Sequence, residues 1–110
     1  MLSTAMTPSA DEQFYHACIA GNFATLEKLL ENNYINIDAP NKIGIPPLVG
    51  AIMNLQYNVM NYLLASGANI DAKDSNGCAA IHFAATYKDI RYLELLVQYH
   101  TNTNLPDNKG

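Results

Sequence analysis

Residues 44–72 read GIPPLVGAIMNLQYNVMNYLLASGANIDA, and this stretch predicts a pair of helices. The first helix covers 46–53, because proline suits the first turn of a helix. A break follows at 54–56, and apolar residues then recur at helical spacing until Gly67, a residue suited to the left-handed conformation after a helix end. The apolar positions of this second helix are Tyr57, Val59, Met60, Leu63 and Leu64. The stretch therefore encodes helix, turn, helix.

The same pattern returns along the chain with a period of 33. The tetrapeptide Asn-Ile-Asp-Ala occurs at 36–39 and again at 69–72. Other residues at this spacing are Gly44, Gly77 and Gly110; Asn36, Asn69 and Asn102; Leu63 and Leu96; and Ala51 and Ala84. Ala17 and Leu29 precede their counterparts, Ala51 and Leu63, by 34 residues. The first unit therefore carries one extra residue, which we place within 32–35. The chain is therefore predicted to contain three repeated units.

The first and third units are predicted to contain the same helix pair. In the first unit, the capping-box pattern from Ser9 to Glu12 begins a helix that runs to about Ile19, and a second helix covers about 22–31. In the third unit, the first helix covers 79–86. The apolar positions of its second helix are Ile90, Leu93, Leu96 and Val97. Segments rich in Asn, Asp and Gly connect the units and are suited to turns.

A period of 33 with two short helices, Gly after the second helix and Asp-x-x-Gly at the start of the next unit resembles the ankyrin repeat family. The resemblance covers about residues 9–110 and implies an all-α repeat fold, a solenoid of stacked helix-turn-helix units joined by hairpin-like loops. The predicted boundaries are an N-terminal extension at 1–8, repeats at 9–40 (the capping unit), 41–73 and 74–106, and the first residues of what would be a further repeat at 107–110.

Two features depart from the family pattern. The tetrapeptide Thr-Pro-Leu-His, which ties neighbouring units together in the family, stands here as Pro-Pro-Leu-Val at 46–49 and as Ala-Ala-Ile-His at 79–82. Only His82 keeps the imidazole, to which the resemblance assigns a structural hydrogen bond. The third unit also has His100 and Thr101 in place of the expected Gly-Ala. We expect these changes to lower stability more than they alter the architecture.

Composition excludes several classes of protein. The chain has 110 residues, 49% of them hydrophobic and 15% charged, which fits one small domain. Its net charge of -4 has the wrong sign for a nucleic-acid binder. No apolar run approaches the roughly 18 residues of a membrane span, and residues 1–10 lack the features of a signal peptide. Two cysteines and no glycosylation sequon suggest a reducing compartment, so we expect a cytoplasmic protein with no membrane partner.

The resemblance implies a binding site for another protein. Ankyrin repeats generally bind through the tips of the hairpins between units and through the exposed face of the first helices. Carried over by position, the partner-binding residues are Lys42, Ile43, Ile45, Met53, Asn54, Ser75, Asn76, Cys78, Thr86 and Tyr87. Tyr87 is the strongest single candidate, because aromatic residues concentrate binding energy at interfaces. The alternative is that Tyr87 packs against Tyr57 or the next turn.

The middle unit is unusually poor in charge. No charged residue occurs from Ile43 to Ile70, a run of 28 positions. Burial of a central unit on two sides accounts for part of this run. The outward positions instead carry the neutral polar residues Gln56, Asn58, Asn61 and Ser66. This surface is either neutral and solvated or an interface for a partner or a second copy, since interface cores are depleted in charge.

Cys78 and His82 lie four residues apart at the start of a predicted helix. This spacing suits a thiol-imidazole pair or two metal ligands. No third ligand or orienting carboxylate occupies a matched position, because Asp71 and Asp74 fall at turn and N-cap positions. We therefore predict no catalytic site and no metal site.

The last predicted helix is crowded with apolar residues, namely Leu93, Leu95, Leu96, Val97 and Tyr99. The end units of a repeat stack ordinarily need a polar outer face, which this helix does not supply. We therefore expect the chain either to belong to a longer protein or to fray at its C-terminal end. A further unit, or self-association through this repeat, would cover the apolar face.

These observations favour a non-catalytic protein-protein interaction module that needs no cofactor. Two alternatives stay open: a targeting domain of a larger enzyme or effector, and a self-associating structural unit. Ankyrin-like proteins occur in eukaryotes and in bacteria that inject proteins into host cells. The resemblance therefore leaves open whether the cytoplasm is that of the source cell or of a host.

Overall fold

The computed structural model describes residues 9–32 and 35–102 and places six helices in them. The helices are α1 (Ala10–Ala20), α2 (Phe23–Asn32), α3 (Pro47–Met53), α4 (Tyr57–Ala65), α5 (Ala80–Thr86) and α6 (Arg91–Asn102). The predicted fold class, an all-α solenoid of stacked helix pairs, is confirmed. The predicted extension at 1–8 and the predicted start of a further repeat at 107–110 lie outside the described residues, as do residues 33–34 of the segment in which we placed the extra residue. None of the described helices is long and apolar enough to cross a bilayer.

The first helix begins where the capping box predicts. The Ser9 side chain accepts the backbone N–H of Glu12 at 3.1 Å, and the Glu12 carboxylate accepts the backbone N–H of Ser9 at 3.1 Å. These two bonds satisfy donors that have no partner in the first turn of a helix. The helix ends at Gly21, whose φ of +74° suits a residue without a Cβ atom.

The first helix of the middle unit is almost wholly buried. Every residue of α3 from Pro47 to Ile52 is buried, and Pro46 and Pro47 form its N-terminal end. A Cβ atom added at Gly50 would lie 2.7 Å from the Tyr15 ring, so the absence of a side chain at this position lets α1 approach α3 closely. This approach joins the first unit to the second.

The repeat period predicts equivalent backbone surroundings, and the structure confirms them for two of the three asparagines. The Asn36 side chain accepts the backbone N–H of Asp38 at 3.0 Å. The Asn69 side chain accepts the backbone N–H of Asp71 at 2.9 Å. Both are Asx turns at the same point of successive units. Asn102 is the last residue of α6, and its side chain lies outside the described part of the chain.

The helices stack so that each unit contacts the next. Helix α1 packs on α2 and α3, α3 packs on α4 and α5, and α6 packs on α4 and α5. The largest fully buried side chains are Phe14, Leu26, Leu48, Ile52, Met60, Leu63 and Leu96. Burial of a side chain of this size stabilises a fold by about 1.5–3 kcal/mol. The core is thus continuous across the three units, as nearest-neighbour stacking requires.

The third unit departs from the second at its C-terminal end. Helix α4 ends at Ala65, and Gly67 follows with a φ of +96°. Helix α6 instead continues to Asn102, four residues beyond the position that matches Ala65. His100 and Thr101 replace Gly67 and Ala68, so no glycine is present to adopt the left-handed conformation that ends the helix. The sequence change therefore lengthens the helix.

Candidate protein-binding surface

The first hairpin tip, residues 41–45, is organised by one asparagine. Asn41 Oδ1 accepts the backbone N–H groups of Ile43 and Ile45 at 3.0 and 2.9 Å. The backbone N–H of Gly44 donates to the carbonyl of Asn41 at 3.0 Å, and Gly44 has a φ of +88°. Asn41 also forms a side-chain hydrogen bond with Tyr15, whose pKa is raised mainly by burial and lowered in part by this bond. The first tip is therefore anchored to α1.

The second hairpin tip, residues 74–78, repeats the scheme with an aspartate. Asp74 Oδ1 accepts the backbone N–H groups of Asn76 and Cys78, both at 2.9 Å. The backbone N–H of Gly77 donates to the carbonyl of Asp74 at 2.9 Å, and Gly77 has a φ of +82°. The prediction that Asp74 stabilises a turn is confirmed. The two tips thus have the same backbone scaffold and different side chains.

The two tips are joined to each other and to the first unit. Ser75 Oγ donates to the carbonyl of Ile43 at 3.2 Å, which links the second tip to the first. Lys42 Nζ lies 3.6 Å from Glu12 Oε2 in α1. Such an exposed ion pair contributes only about 0.2–1 kcal/mol. The hydrogen bond thus links the two tips, and the ion pair links the first tip to α1.

The predicted hairpin residues divide into exposed and half-buried groups. Lys42, Ile43, Ser75 and Asn76 are exposed, and the Ile43 side chain reaches 69% exposure. Ile45 and Cys78 are half-buried. An exposed isoleucine at the end of a hydrogen-bonded turn is available to contact a partner. The hairpin group therefore presents one large apolar side chain beside polar ones.

The four predicted helix residues lie at the other end of the first helices. Met53 ends α3, and Thr86 ends α5 at the matching position of the next unit. Asn54 follows α3, where its Nδ2 donates to the carbonyl of Gly50 at 2.8 Å. The Thr86 hydroxyl donates to the carbonyl of His82 at 3.0 Å. A seven-residue helix separates this group from the hairpin tips by about 10 Å, so the structure forms two groups of predicted residues.

Tyr87 is half-buried, and its ring contacts a neighbouring ring. The Tyr87 and Tyr92 rings meet edge to face with centroids 5.9 Å apart. Tyr92 also contacts Tyr57 at 5.5 Å, and the Arg91 guanidinium lies 4.8 Å from the centroid of the Tyr57 ring. The structure thus gives Tyr87 a packing contact, as in the alternative that the sequence left open, but the contacting ring is Tyr92 and not Tyr57. Its role in partner binding stays a prediction.

The charge-free run of the middle unit includes side chains that link units. Gln56 Nε2 donates to the carbonyl of Ile19 at 3.0 Å, and Asn61 Oδ1 accepts the Tyr99 hydroxyl at 3.1 Å. Neutral amides at these positions therefore connect the middle unit to both neighbours. Asn58 and Ser66, the other two outward residues, are exposed.

Cys78 and His82 do not form a thiol-imidazole pair through Nδ1. His82 Nδ1 accepts the backbone N–H of Ala79 at 2.9 Å, the structural hydrogen bond that the resemblance assigns to this histidine. In residues 9–32 and 35–102, no group of three potential ligands could hold a metal ion. Cys18 is buried, and burial raises its pKa to about 12. This favours the protonated thiol, which is neither a nucleophile nor a metal ligand.

Several exposed apolar residues were missed by the sequence analysis. Leu55 is 61% exposed and has a φ of +58°, which is unusual for a residue with a side chain. Leu55 matches Gly21 in the equivalent turn of the first unit, and this match could have revealed the positive φ of Leu55. Ile81 and Ile90 are exposed although Leu48 is buried at the position matching Ile81. Their exposure depends on their position in the last described unit of the stack, which apolar spacing in the sequence does not report.

Comparison with known proteins places these repeats in a family. The family described as ankyrin repeats (3 copies) matches residues 14–107. RelA-associated inhibitor of Mus musculus is 38% identical over 60 residues, which are 54% of this chain and 7% of that protein. Inversin of Danio rerio is 28% identical over 100 residues, 91% of this chain and 10% of that protein. Tyrosine-protein kinase Shark of Drosophila melanogaster is 29% identical over 75 residues, 68% of this chain and 8% of that protein.

The chain spans about a tenth or less of the length of these relatives. The family match covers well over half of the chain and coincides with the helix pairs and hairpin tips described above. The chain therefore belongs to the ankyrin repeat family.

Proposed function

We propose that this chain is a non-catalytic module that binds a partner protein through its hairpin tips and the exposed ends of α3 and α5. One observation carries the proposal: the two tips share a hydrogen-bonded scaffold and differ in the side chains they expose. Asn41 and Asp74 hold equivalent turns, while Ile43 and Asn76 occupy equivalent exposed positions. A constant scaffold with variable exposed side chains is suited to recognition.

Rigidity supplies the physical advantage of this surface. Binding ordinarily costs about 0.5–1.5 kcal/mol for each flexible side chain that is immobilised, in addition to the ordering of loops. In the two tips, the backbone N–H groups of Ile43, Ile45, Asn76 and Cys78 already have acceptors within the turn. Docking of a partner on the tips therefore requires little further ordering of the backbone. Ile43 supplies apolar contact, and Lys42 supplies the single charge of the exposed hairpin group.

Similarity to RelA-associated inhibitor supports a protein as the partner, because its name describes that protein as associated with RelA. For the present chain we propose a protein ligand of unassigned identity and a role in a reducing compartment such as the cytoplasm. The buried, protonated thiol of Cys18 is compatible with such a compartment.

A pull-down from the source cells with matched variants tests the proposal. Ile43→Asp combined with Lys42→Ala should reduce the recovery of specific partners about tenfold, a loss equivalent to about 1.4 kcal/mol. Asn58→Asp, on the exposed side of α4, serves as the control and should retain them. Thermal unfolding should confirm that both proteins are folded. Equal recovery by wild type and the tip variant would contradict the proposed surface.

A second candidate is a targeting domain within a larger enzyme. It is favoured by the match to Tyrosine-protein kinase Shark, of which the aligned segment is 8%. The gene context of the chain distinguishes this candidate, since a catalytic domain in the same open reading frame would support it. Self-association, the third function that the sequence left open, would use the C-terminal repeat.

A further inference from the structure

The turn between α3 and α4 has a leucine at a position where two other helix ends of this fold have glycine. The backbone N–H of Leu55 donates to the carbonyl of Ile52 at 3.0 Å, and the N–H of the next residue donates to the carbonyl of Ala51 at 2.9 Å. The ends of α1 and α4 form the same pair of bonds, with Gly21 and Gly67 in the place of Leu55. The φ angles of the three residues are +58°, +74° and +96°. Leu55 therefore holds a conformation that is unfavourable for a residue with a Cβ atom and that glycine adopts freely.

Burial does not compensate Leu55 for this conformation. Its side chain is 61% exposed. At a helix end of this type, the apolar contact normally involves the residue after the left-handed one, which here is Gln56. Gln56 instead donates a side-chain hydrogen bond to the carbonyl of Ile19 at 3.0 Å. A strained residue that gains no burial within its own chain indicates a functional contact.

The turn after α3 and the turn after α5 lie side by side, and we call residues 53–56 and 86–89 the turn edge. Helices α3 and α5 pack on each other and end at matching positions of the repeat. The two turns are therefore about 8–10 Å apart, the usual separation of packed helices. Directly after the turns, the Tyr57 ring meets the Tyr92 ring with centroids 5.5 Å apart, which holds the second and third units together.

The charges near the turn edge leave one cation without a counter-ion. Arg91 Nη2 donates to Asp89 Oδ2 at 2.7 Å, and the Arg91 guanidinium lies 4.8 Å from the centroid of the Tyr57 ring. Lys88 is exposed, and within the described part of the chain it forms no ion pair. The turn that contains Leu55 is uncharged. The turn edge thus combines an exposed apolar side chain with one uncompensated positive charge.

We propose that the turn edge binds a segment of the partner protein that presents an apolar side chain to Leu55 and, about 8–10 Å away, a carboxylate to Lys88. Burial of Leu55 against the partner supplies the apolar contact that the isolated chain lacks. Assignment of this chemistry rests on the proposed function, because it describes the partner of the same module. It adds Leu55 and Lys88 to the residues that select this partner.

A substitution with opposite effects on binding and on stability tests the role of Leu55. Leu55→Gly should reduce the recovery of specific partners in the pull-down about tenfold, because the apolar contact is lost. The same variant should be at least as resistant to urea as wild type, because glycine adopts the turn without strain. Unfolding therefore cannot explain the loss of binding. Asn58→Ala, which removes an exposed side chain from α4, should retain the partners.

Charge reversal tests the role of Lys88. Lys88→Glu should reduce recovery about fivefold at low salt, and the difference from wild type should shrink at high salt as the charges are screened. Lys28→Glu makes the same change at an exposed position of α2 and serves as the matched control. It should bind as wild type does at both salt concentrations.

Random-sequence peptides displayed on phage test the ligand chemistry without the natural partner. Peptides are selected on wild type after removal of those that bind Leu55→Gly. The selected peptides should share an apolar residue and an acidic residue, about three positions apart if the peptide is extended. They should bind Lys88→Glu more weakly than wild type.

The outcomes separate this proposal from the proposed function. If the tip variant loses partners that Leu55→Gly and Lys88→Glu both retain, the turn edge is overturned and the proposed function stands. If the tip variant and both turn variants all retain the partners, both proposals are contradicted. Selected peptides without an acidic residue, or with equal affinity for wild type and Lys88→Glu, would overturn the assignment of a carboxylate.

Discussion

Leu55 occupies a backbone conformation that favours glycine. Its φ is +58°, and the matching position of the first unit is Gly21, whose φ is +74°. This conformation costs a residue with a Cβ atom about 1–2 kcal/mol, whereas glycine loses about 0.5–1 kcal/mol through extra chain entropy. Leu55 is largely exposed, so its removal gives up little apolar burial. We expect Leu55→Gly to raise the free energy of unfolding by about 0.5–1 kcal/mol, measured by urea denaturation.

The first unit supplies the matched control for this prediction. Gly21→Ala introduces a Cβ atom at positive φ, and that atom would lie 2.9 Å from Gln56 Oε1. We expect this variant to be less stable than wild type. A stability gain from Gly21→Ala, or a loss from Leu55→Gly, would show that backbone conformation does not control this turn.

Residue-level prediction from sequence succeeded where one side chain satisfies a local backbone group. Ser9 and Glu12 form the predicted capping box, and Asp74 stabilises the predicted turn. It failed at Leu55, because neither composition nor apolar spacing reports the sign of φ. Only the comparison with Gly21, which occupies the matching position with a φ of +74°, carried a signal.

At the scale of the helices, the contact of α1 with α3 depends on Gly50. Alanine is a better helix former than glycine by about 1 kcal/mol, so Gly50→Ala would be stabilising in an isolated helix. In this fold the new Cβ atom would meet the Tyr15 ring at 2.7 Å. Overpacking of this kind costs about 1–3 kcal/mol, so we expect a net loss of stability in thermal and chemical unfolding.

A double-mutant cycle separates this steric effect from a change in helix propensity. Tyr15→Leu shortens the side chain that faces Gly50 and should be destabilising alone. In combination, Gly50→Ala and Tyr15→Leu should be less destabilising than the sum of the two changes, with a coupling energy of about 0.5–3 kcal/mol. Simple additivity would contradict a direct contact between the two positions.

The helix pattern was predictable because each end has a local chemical cause. Pro46 and Pro47 begin α3, and Gly67 follows the end of α4, near the predicted positions. The length of α6 was less accessible. The sequence shows His100 and Thr101 in place of the expected Gly-Ala, but it did not reveal that the helix would continue to Asn102. Without a glycine after the helix, the sequence contains no residue that marks where α6 ends.

For the whole molecule, burial of one thiol makes stability depend on pH. The Cys18 pKa is raised from its ordinary value of 9.0 to about 12 by burial. Above pH 9 the unfolded chain loses this proton while the folded chain retains it, so stability is full below pH 9 and falls as pH rises toward 12. The expected slope approaches about 1.4 kcal/mol per pH unit within this window.

Comparison with Cys18→Ala isolates this contribution. Burial also raises the pKa values of Tyr15, Tyr62 and Tyr92, which act in the same direction and remain in the variant. Urea denaturation of both proteins at pH 8 and pH 10.5, a pair of conditions chosen to bracket the ordinary thiol value, gives the difference. Equal losses of stability in wild type and Cys18→Ala would show that the thiol does not contribute.

The repeat period predicted the stacked architecture, but it did not predict the contacts and distances between the candidate site residues. Position within the repeat identified the hairpin tips. It did not reveal the hydrogen bond from Ser75 to Ile43, or the distance between the tips and the helix ends. It also did not show that Tyr87 contacts Tyr92. These relations join different units, and a repeat pattern describes each unit separately.

The bond from Ser75 Oγ to the carbonyl of Ile43 couples the two tips. If a partner binds through both tips, as we propose, movement of one tip is resisted by its neighbour. The proposed surface would then favour a partner whose two contact points match the spacing of the tips, in addition to carrying suitable side chains.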